Sequence, residues 1–309
     1  MYQRPVLVLV VLLLSPFVQA APVKNGFDLA GSLVPAAEIL PGGPPRDGIP
    51  AIDQPRFVPA HRAHWLDPED RVLGLTRNGE AKAYPIAILN WHEIVNDRFG
   101  QEPVAITYCP LCGTGVAFEA RVAGRQRDFG VSGLLYNSDV LLYDRQSESL
   151  WSQIARQAVS GPLKGAKLTP IPLDHTSWGD WRARHPDTRV LSRETGFHRD
   201  YDRNPYGDYA ASEAVFFPLS STSRRYHPKE QVIGLELDGQ AKAWPFVELA
   251  KAGTPVLDRL AGRELTIRFD PEHRTGRVLD KQGQELPAII AYWFAWHAFH
   301  PQGEVFTAP

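Results

Sequence analysis

One stretch of this chain is written twice, and that limits the folds open to it more than any other feature. Val72-Leu73-Gly74-Leu75 followed by Ala81-Lys82-Ala83-Tyr84-Pro85 reappears as Val232-Ile233-Gly234-Leu235 followed by Ala241-Lys242-Ala243-Trp244-Pro245. Over 71–89 against 231–249, nine of nineteen positions are identical, where chance matching at ordinary composition gives about one in sixteen. After a one-residue slip the match runs from Val95-Asn96-Asp97-Arg98 onto Val256-Leu257-Asp258-Arg259, and it ends with Thr114-Gly115 opposite Thr275-Gly276. The pattern is that of a duplicated unit.

Each unit reads as β-β-α-β-β-β. Arg71 to Thr76 and Ala81 to Tyr84 alternate as strands do, and Asn78-Gly79 between them is a two-residue hairpin signal. Pro85 suits the first position of a helix and Gly100 its stop, with Ile88, Trp91, Val95 and Phe99 at helical spacing. Pro103 to Tyr108 is a short apolar strand, and a further hairpin follows around Ala123-Gly124. The expected fold is α+β and strand-rich, with the duplicated units packed as one mixed-sheet domain. The boundaries are an irregular, Gly- and Pro-rich lead-in over 21–47 and a duplicated domain over 48–309. Within it the first unit spans about 71–153, a connecting region 154–230, and the second unit 231–301.

The first twenty residues predict export. Arg4 gives a positive start, Val6 to Leu14 an apolar run, and Val18-Gln19-Ala20 a small-x-small cleavage site. That run is shorter than the roughly 20 apolar residues a membrane span needs. No span is therefore expected after cleavage of a 1–20 signal peptide, and the location is periplasmic or secreted. A net charge of −2 with no Lys/Arg cluster argues against a nucleic-acid partner.

The only two cysteines stand together in Cys109-Pro110-Leu111-Cys112-Gly113. An exported chain spends cysteines mostly on bridges between distant segments, and this pair closes too short a loop for that. Two thiolates at this spacing can hold one metal in a tight turn, the glycine accepting a positive φ. A single such turn needs a non-cysteine ligand, and His92 in Asn90-Trp91-His92-Glu93 is the candidate. In the second unit Asp270 and His273 stand where Cys109 and Cys112 do, and Ala250-Lys251-Ala252 near the place of His92. Thiols and imidazole are thus missing together, as residues of one site would be. A redox dithiol uses the same cysteines, but Gly113-Thr114-Gly115 leaves no helix start to lower a thiol pKa.

Other polar residues are candidates for supporting or lining such a site: Glu93, Asn96, Asn137, Asp139, Asp144 and Gln153. Within the aromatic run Tyr292 to Pro301, His300 is a reserve ligand, with His297 three residues before it. His61 and His64 share that spacing with nothing reactive beside them.

These blocks also carry a resemblance. Gly48-Ile49-Pro50-Ala51-Ile52-Asp53, Leu89-Asn90-Trp91-His92-Glu93-Ile94-Val95-Asn96-Asp97, Thr107-Tyr108-Cys109-Pro110-Leu111-Cys112-Gly113-Thr114, Phe129-Gly130-Val131-Ser132-Gly133, Leu142-Tyr143-Asp144-Arg145, Ser149-Leu150-Trp151-Ser152-Gln153 and Trp293 to Pro301 resemble the domain of unknown function 3179 family of bacterial and archaeal proteins. The resemblance covers about Gly48 to Pro301 and implies an intact exported domain. It brings no activity with it.

The sequence therefore points first to an exported metal-binding protein. Cys109, Cys112 and His92 would hold a transition metal, copper or zinc before iron, with Glu93 or Asn96 as supports. Its partner would be a metal donor or acceptor, or a redox partner. The alternatives are a periplasmic thiol-disulfide oxidoreductase on Cys109 and Cys112, and a non-catalytic module that binds a ligand or partner.

Overall fold

Asn78 and Gly79 turn the chain as their sequence requires. Both have positive φ, 53° and 78°, the type I′ geometry that joins Arg71–Arg77 to Glu80–Pro85 by two residues. Asp238 and Gly239 do the same between Gln231–Leu237 and Gln240–Pro245. The computed structural model describes residues 22–309, so the expected signal peptide over 1–20 lies outside the described residues. No described helix is long and apolar enough to cross a membrane.

Helix α1 is Ile86–His92, half the length expected. Glu93, at φ 57°, breaks it, and Ile94–Phe99 is a strand paired antiparallel with Glu102–Cys109. The spacing of Ile88, Trp91, Val95 and Phe99 imitates a helix because the buried face of this strand carries the charged Asp97 between Val95 and Phe99. Val95 and Phe99 pack in one apolar cluster while Asn96 is half-buried and Arg98 exposed, so the run of polar residues at 96, 97 and 98 hides the alternation that would mark a strand.

Glu102–Cys109 then forms a hairpin with Thr114–Glu119, which we call the cysteine hairpin. A second hairpin, Phe129–Tyr136 with Asp139–Asp144, continues through Leu150–Ser152 and Gln157–Ser160 into a five-stranded sheet completed by Leu40–Pro41. Asp174–Ser177, helix α2 (Trp178–Arg184) and Arg189–Leu191 return to the first sheet. There Asp174–Ser177 lies antiparallel on Arg71–Arg77, and Arg189–Leu191 lies parallel on Glu80–Pro85.

The second half runs through the same kinds of element. Helix α3 (Phe246–Ala252) is followed by Val256–Leu260, Arg263–Asp270 and Thr275–Leu279. Ile289–Tyr292 pairs antiparallel with Gln231–Leu237, helix α4 (Trp293–Phe299) follows, and Glu304–Val305 pairs parallel with Gln240–Pro245. Packing repeats as well. A Cβ on Gly74 would stand 2.3 Å from the Trp181 ring, and one on Gly234 2.2 Å from Trp296. Lys82 pairs with buried Asp97, which also accepts from Tyr84; Lys242 pairs with Asp258, which accepts from Trp244 Nε1. Removing one partner of so buried a pair costs about 3–5 kcal/mol. The fold is α+β and strand-rich, built from several small sheets.

Candidate functional site

The two cysteines are set by the tip of their hairpin. Cys109 is the last residue of its strand and faces Thr114, leaving Pro110 to Gly113 as the turn. Gly113 sits at φ 59°, and a Cβ there would meet the Tyr292 ring at 2.7 Å. Glycine is thus demanded twice, by backbone and by space. Tyr292 N donates to Cys112 O at 2.8 Å, and Thr114 Oγ1 donates to the same oxygen at 3.0 Å, which fixes the turn.

The second hairpin closes over this tip. Asn137 and Ser138 form its two-residue turn, both at positive φ. The Ser138 carbonyl lies 3.3 Å from Cys112 Sγ and 3.9 Å from Cys109 Sγ. Asp139, next along, is fully buried. One carboxylate oxygen of Asp139 and the two sulfurs all lie within 4.8 Å of one another, a set of donors able to coordinate a metal. Ile154 N donates to Asp139 Oδ2 at 3.1 Å, whereas Oδ1 has no hydrogen-bond partner.

Burial governs the electrostatics. It pushes both thiols up from their ordinary range, Cys112 far up, so both are protonated at neutral pH. Both are free, not bridged. Burial likewise pushes Asp139 up to about 7, the Ile154 N–H and the thiols opposing it. Glu93 is pushed up to about 7 by burial, with a hydrogen bond from Tyr206 opposing and the Asp139 charge adding to the rise. Tyr206 Oη donates to Glu93 Oε1 at 3.3 Å, and Tyr108 N donates to Glu93 O at 2.7 Å. Two protonatable carboxyls therefore stand by two protonated thiols.

His92 is not part of this group. Its Nδ1 lies 2.7 Å from the Pro50 carbonyl, which can only accept, so Nδ1 carries the proton. Nε2 then accepts from Tyr201 Oη at 2.7 Å. Both nitrogens are spent, and burial holds the ring neutral by pulling it down to about 4. The expected two-cysteine, one-histidine centre is thereby overturned: the third donor is Asp139. The absence of a histidine near the second unit's turn has another cause, since His92 anchors the Pro50 segment.

Several other candidates have structural partners. Asn96 bridges strands, accepting from Phe129 N and donating to Phe129 O and Asp53. Asp144 accepts from Trp151 Nε1 at 3.0 Å and from Ser147 N at 2.8 Å. Gln153 donates to Thr107 Oγ1 at 2.8 Å beneath the cysteine hairpin. Asn137 accepts from Ser220 N and donates to Ala298 O. His300 stacks on Trp296 with ring centroids 4.1 Å apart, as His185 stacks on Trp181 at 4.2 Å. His297 lies 3.2 Å from Ser221 Oγ.

Tyr206, Tyr209 and Lys229, all in the connecting region, were not singled out from the sequence. Their signal is only spatial: they join the cysteine turn across long chain separations. Lys229 is buried, its Nζ 3.5 Å from the Tyr209 ring centroid, and burial pulls it down to about 8 while Cys112 opposes that fall.

No curated protein and no solved structure matches the chain. A family model described as protein of unknown function (DUF3179) matches residues 46–303, a span holding the cysteine turn, Asp139 and Glu93. The chain belongs to the DUF3179 family.

Proposed function

We propose that the protein is a thiol-disulfide oxidoreductase working through Cys109 and Cys112. The observation that carries this reading is the pair of free, neighbouring thiols beside the unpartnered Oδ1 of Asp139. A thiol must lose its proton to attack a disulfide. A carboxyl poised at about 7 can take that proton near neutral pH and return it to the departing thiolate. The reaction is two-electron exchange: the dithiol and a partner disulfide give the Cys109–Cys112 disulfide and two partner thiols. Both thiols are buried, Cys109 at 2% and Cys112 at 0% exposure; Cys109 would attack first and Cys112 would resolve. Export, as Arg4 to Ala20 suggest, would put the pair where disulfides persist.

The test is trapping. Cys112→Ser should accumulate a mixed disulfide with glutathione disulfide, visible by mass spectrometry, while Cys109→Ser should not. Failure of both variants to form an adduct, with the wild type inert as well, would remove this reading.

A second reading rests on the three-donor set. Cys109, Cys112 and Asp139 would suit zinc better than copper, because a carboxylate is a hard donor beside soft sulfur. Reconstitution under reductant separates the two: near one equivalent of bound zinc supports the metal, below about a tenth the redox pair. We also infer that 71–191 and 231–306 are copies of one ancestral unit, with α2 and α4 in corresponding places. The paired registers and the glycine–tryptophan contacts support this.

A further inference from the structure

We propose that the cavity between the two halves, floored by the cysteine turn, binds a small organic anion bearing carboxylate or phosphate groups. The cavity has a volume of about 510 Å³, and Pro110 and Gly113 form part of its lining. That size is ordinary for a small-molecule site.

Its charge is one-sided. Arg71, Arg274 and Lys229 line it, and no Asp or Glu does. Each cation is held by neutral groups. Arg71 donates to the His175 and Arg274 carbonyls at 2.8 and 3.0 Å. Arg274 donates from Nε and Nη2 to Gln231 Oε1 at 3.0 and 2.7 Å. Lys229 donates to the Ala214 and Ser212 carbonyls. Among the described residues no carboxylate forms an ion pair with any of the three, although the chain carries 35 acidic side chains. Gathering like charges costs energy that only an opposing charge recovers. Burial and the Arg274 charge together pull Arg71 down to about 10, as expected of a cation waiting for an anion.

A second observation points the same way. His175 Nδ1 and the Tyr209 hydroxyl are buried without a hydrogen-bond partner, and both residues line this cavity. The residues themselves are 6% and 4% exposed. Native structures leave few such groups unsatisfied unless something else supplies the partner. A ligand oxyanion would accept from the cations together. Tyr108, Tyr206 and Tyr292 supply aromatic walls, so an organic anion fits better than a bare ion. The proposal does not depend on the cysteines being redox-active.

Titration calorimetry at low ionic strength tests it with inorganic phosphate, citrate and benzene-1,3-dicarboxylate as probes, and the neutral dimethyl ester of the last as control. At least one anion should bind saturably at one site, and the ester should not bind. Affinity should fall about tenfold in Arg274→Gln and in Lys229→Gln, as for loss of one charged hydrogen bond, and largely recover in Arg274→Lys. Arg274 is exposed, so its variants test the site without disturbing the core. Selective binding of phosphate or of carboxylates assigns the chemistry. No binding by any probe below about 10 mM, or unchanged affinity in both Gln variants, overturns the proposal.

Discussion

Two hairpin tips in this molecule have the same backbone plan and opposite chemistry. The first carries Cys109 and Cys112; the second carries Asp270 and His273 between Arg263–Asp270 and Thr275–Leu279. Each reaches across to the other half: Tyr292 N donates to Cys112 O, and His273 Nδ1 meets Ser177 Oγ at 2.9 Å. What differs is the cover. Over the first tip lies the 129–144 hairpin, which brings Ser138 and Asp139 to the sulfurs. After the second tip only a loop joins Leu279 to Ile289. The comparison teaches that the thiols alone do not make the site. Its enclosure, its raised thiols and its poised carboxyl all come from a hairpin that one half has and the other lacks.

The largest effect should follow from removing sulfur. Cys109→Ser should reduce disulfide exchange to background, while His273→Ala, at the equivalent place of Cys112, should leave it unchanged. Equal losses in a glutathione exchange assay would break the comparison. Asp139→Asn should come next, slowing exchange by about 10²-fold, as for loss of a general base. It should also remove the inflection near pH 7 from the rate profile. An unaltered profile would show that the cover serves packing only.

The same carboxyl has a signature in stability. Its folded pKa is raised to about 7 from an unfolded value of about 3.9. The folded state therefore binds the extra proton, and stability is full below about pH 4 and is lost as pH rises through about 7. Asp139→Asn should thus gain stability relative to the wild type between pH 5 and pH 8, by an amount on the order of 3 kcal/mol in chemical denaturation. His92 works in the opposite sense. Its folded pKa is about 4, so stability it contributes above about pH 6.5 is lost as pH falls through 4. The smaller contrast is at the turns themselves. Gly113→Ala should destabilise by about 1–3 kcal/mol through its positive φ and the Tyr292 contact. Arg274, its counterpart at φ 45° with an exposed side chain, should accept Ala at lower cost in chemical denaturation.

Much of this was legible beforehand. The repeat announced the paired hairpins because Asn78-Gly79 and Asp238-Gly239 state their turn type locally. The cysteine pair and its following glycine were equally plain. The helix reading overextends because Asn96-Asp97-Arg98 is polar throughout and masks the alternating burial of Val95 to Phe99. His92 was misplaced for a different reason. Its partners, Pro50 and Tyr201, are 42 and 109 residues away, and nothing local says which way the ring points. Asp139 stood among the candidates as lining. Its promotion to third donor depends on two hairpin tips meeting, which no periodicity encodes. The likeness of α2 to α4 lies outside the matched stretches of the repeat, yet it too is written in the sequence: over 178–186 against 293–301, Trp178, Trp181, Ala183, His185 and Pro186 recur as Trp293, Trp296, Ala298, His300 and Pro301.

The most direct measurement is a redox titration of the intact protein in glutathione buffers, with quantitative alkylation read by mass spectrometry. Our account expects one reversible two-electron transition between dithiol and disulfide, at a potential within the roughly −270 to −120 mV range of exchange catalysts. Thiols that stay reduced at every potential, or that oxidise only irreversibly, would contradict it.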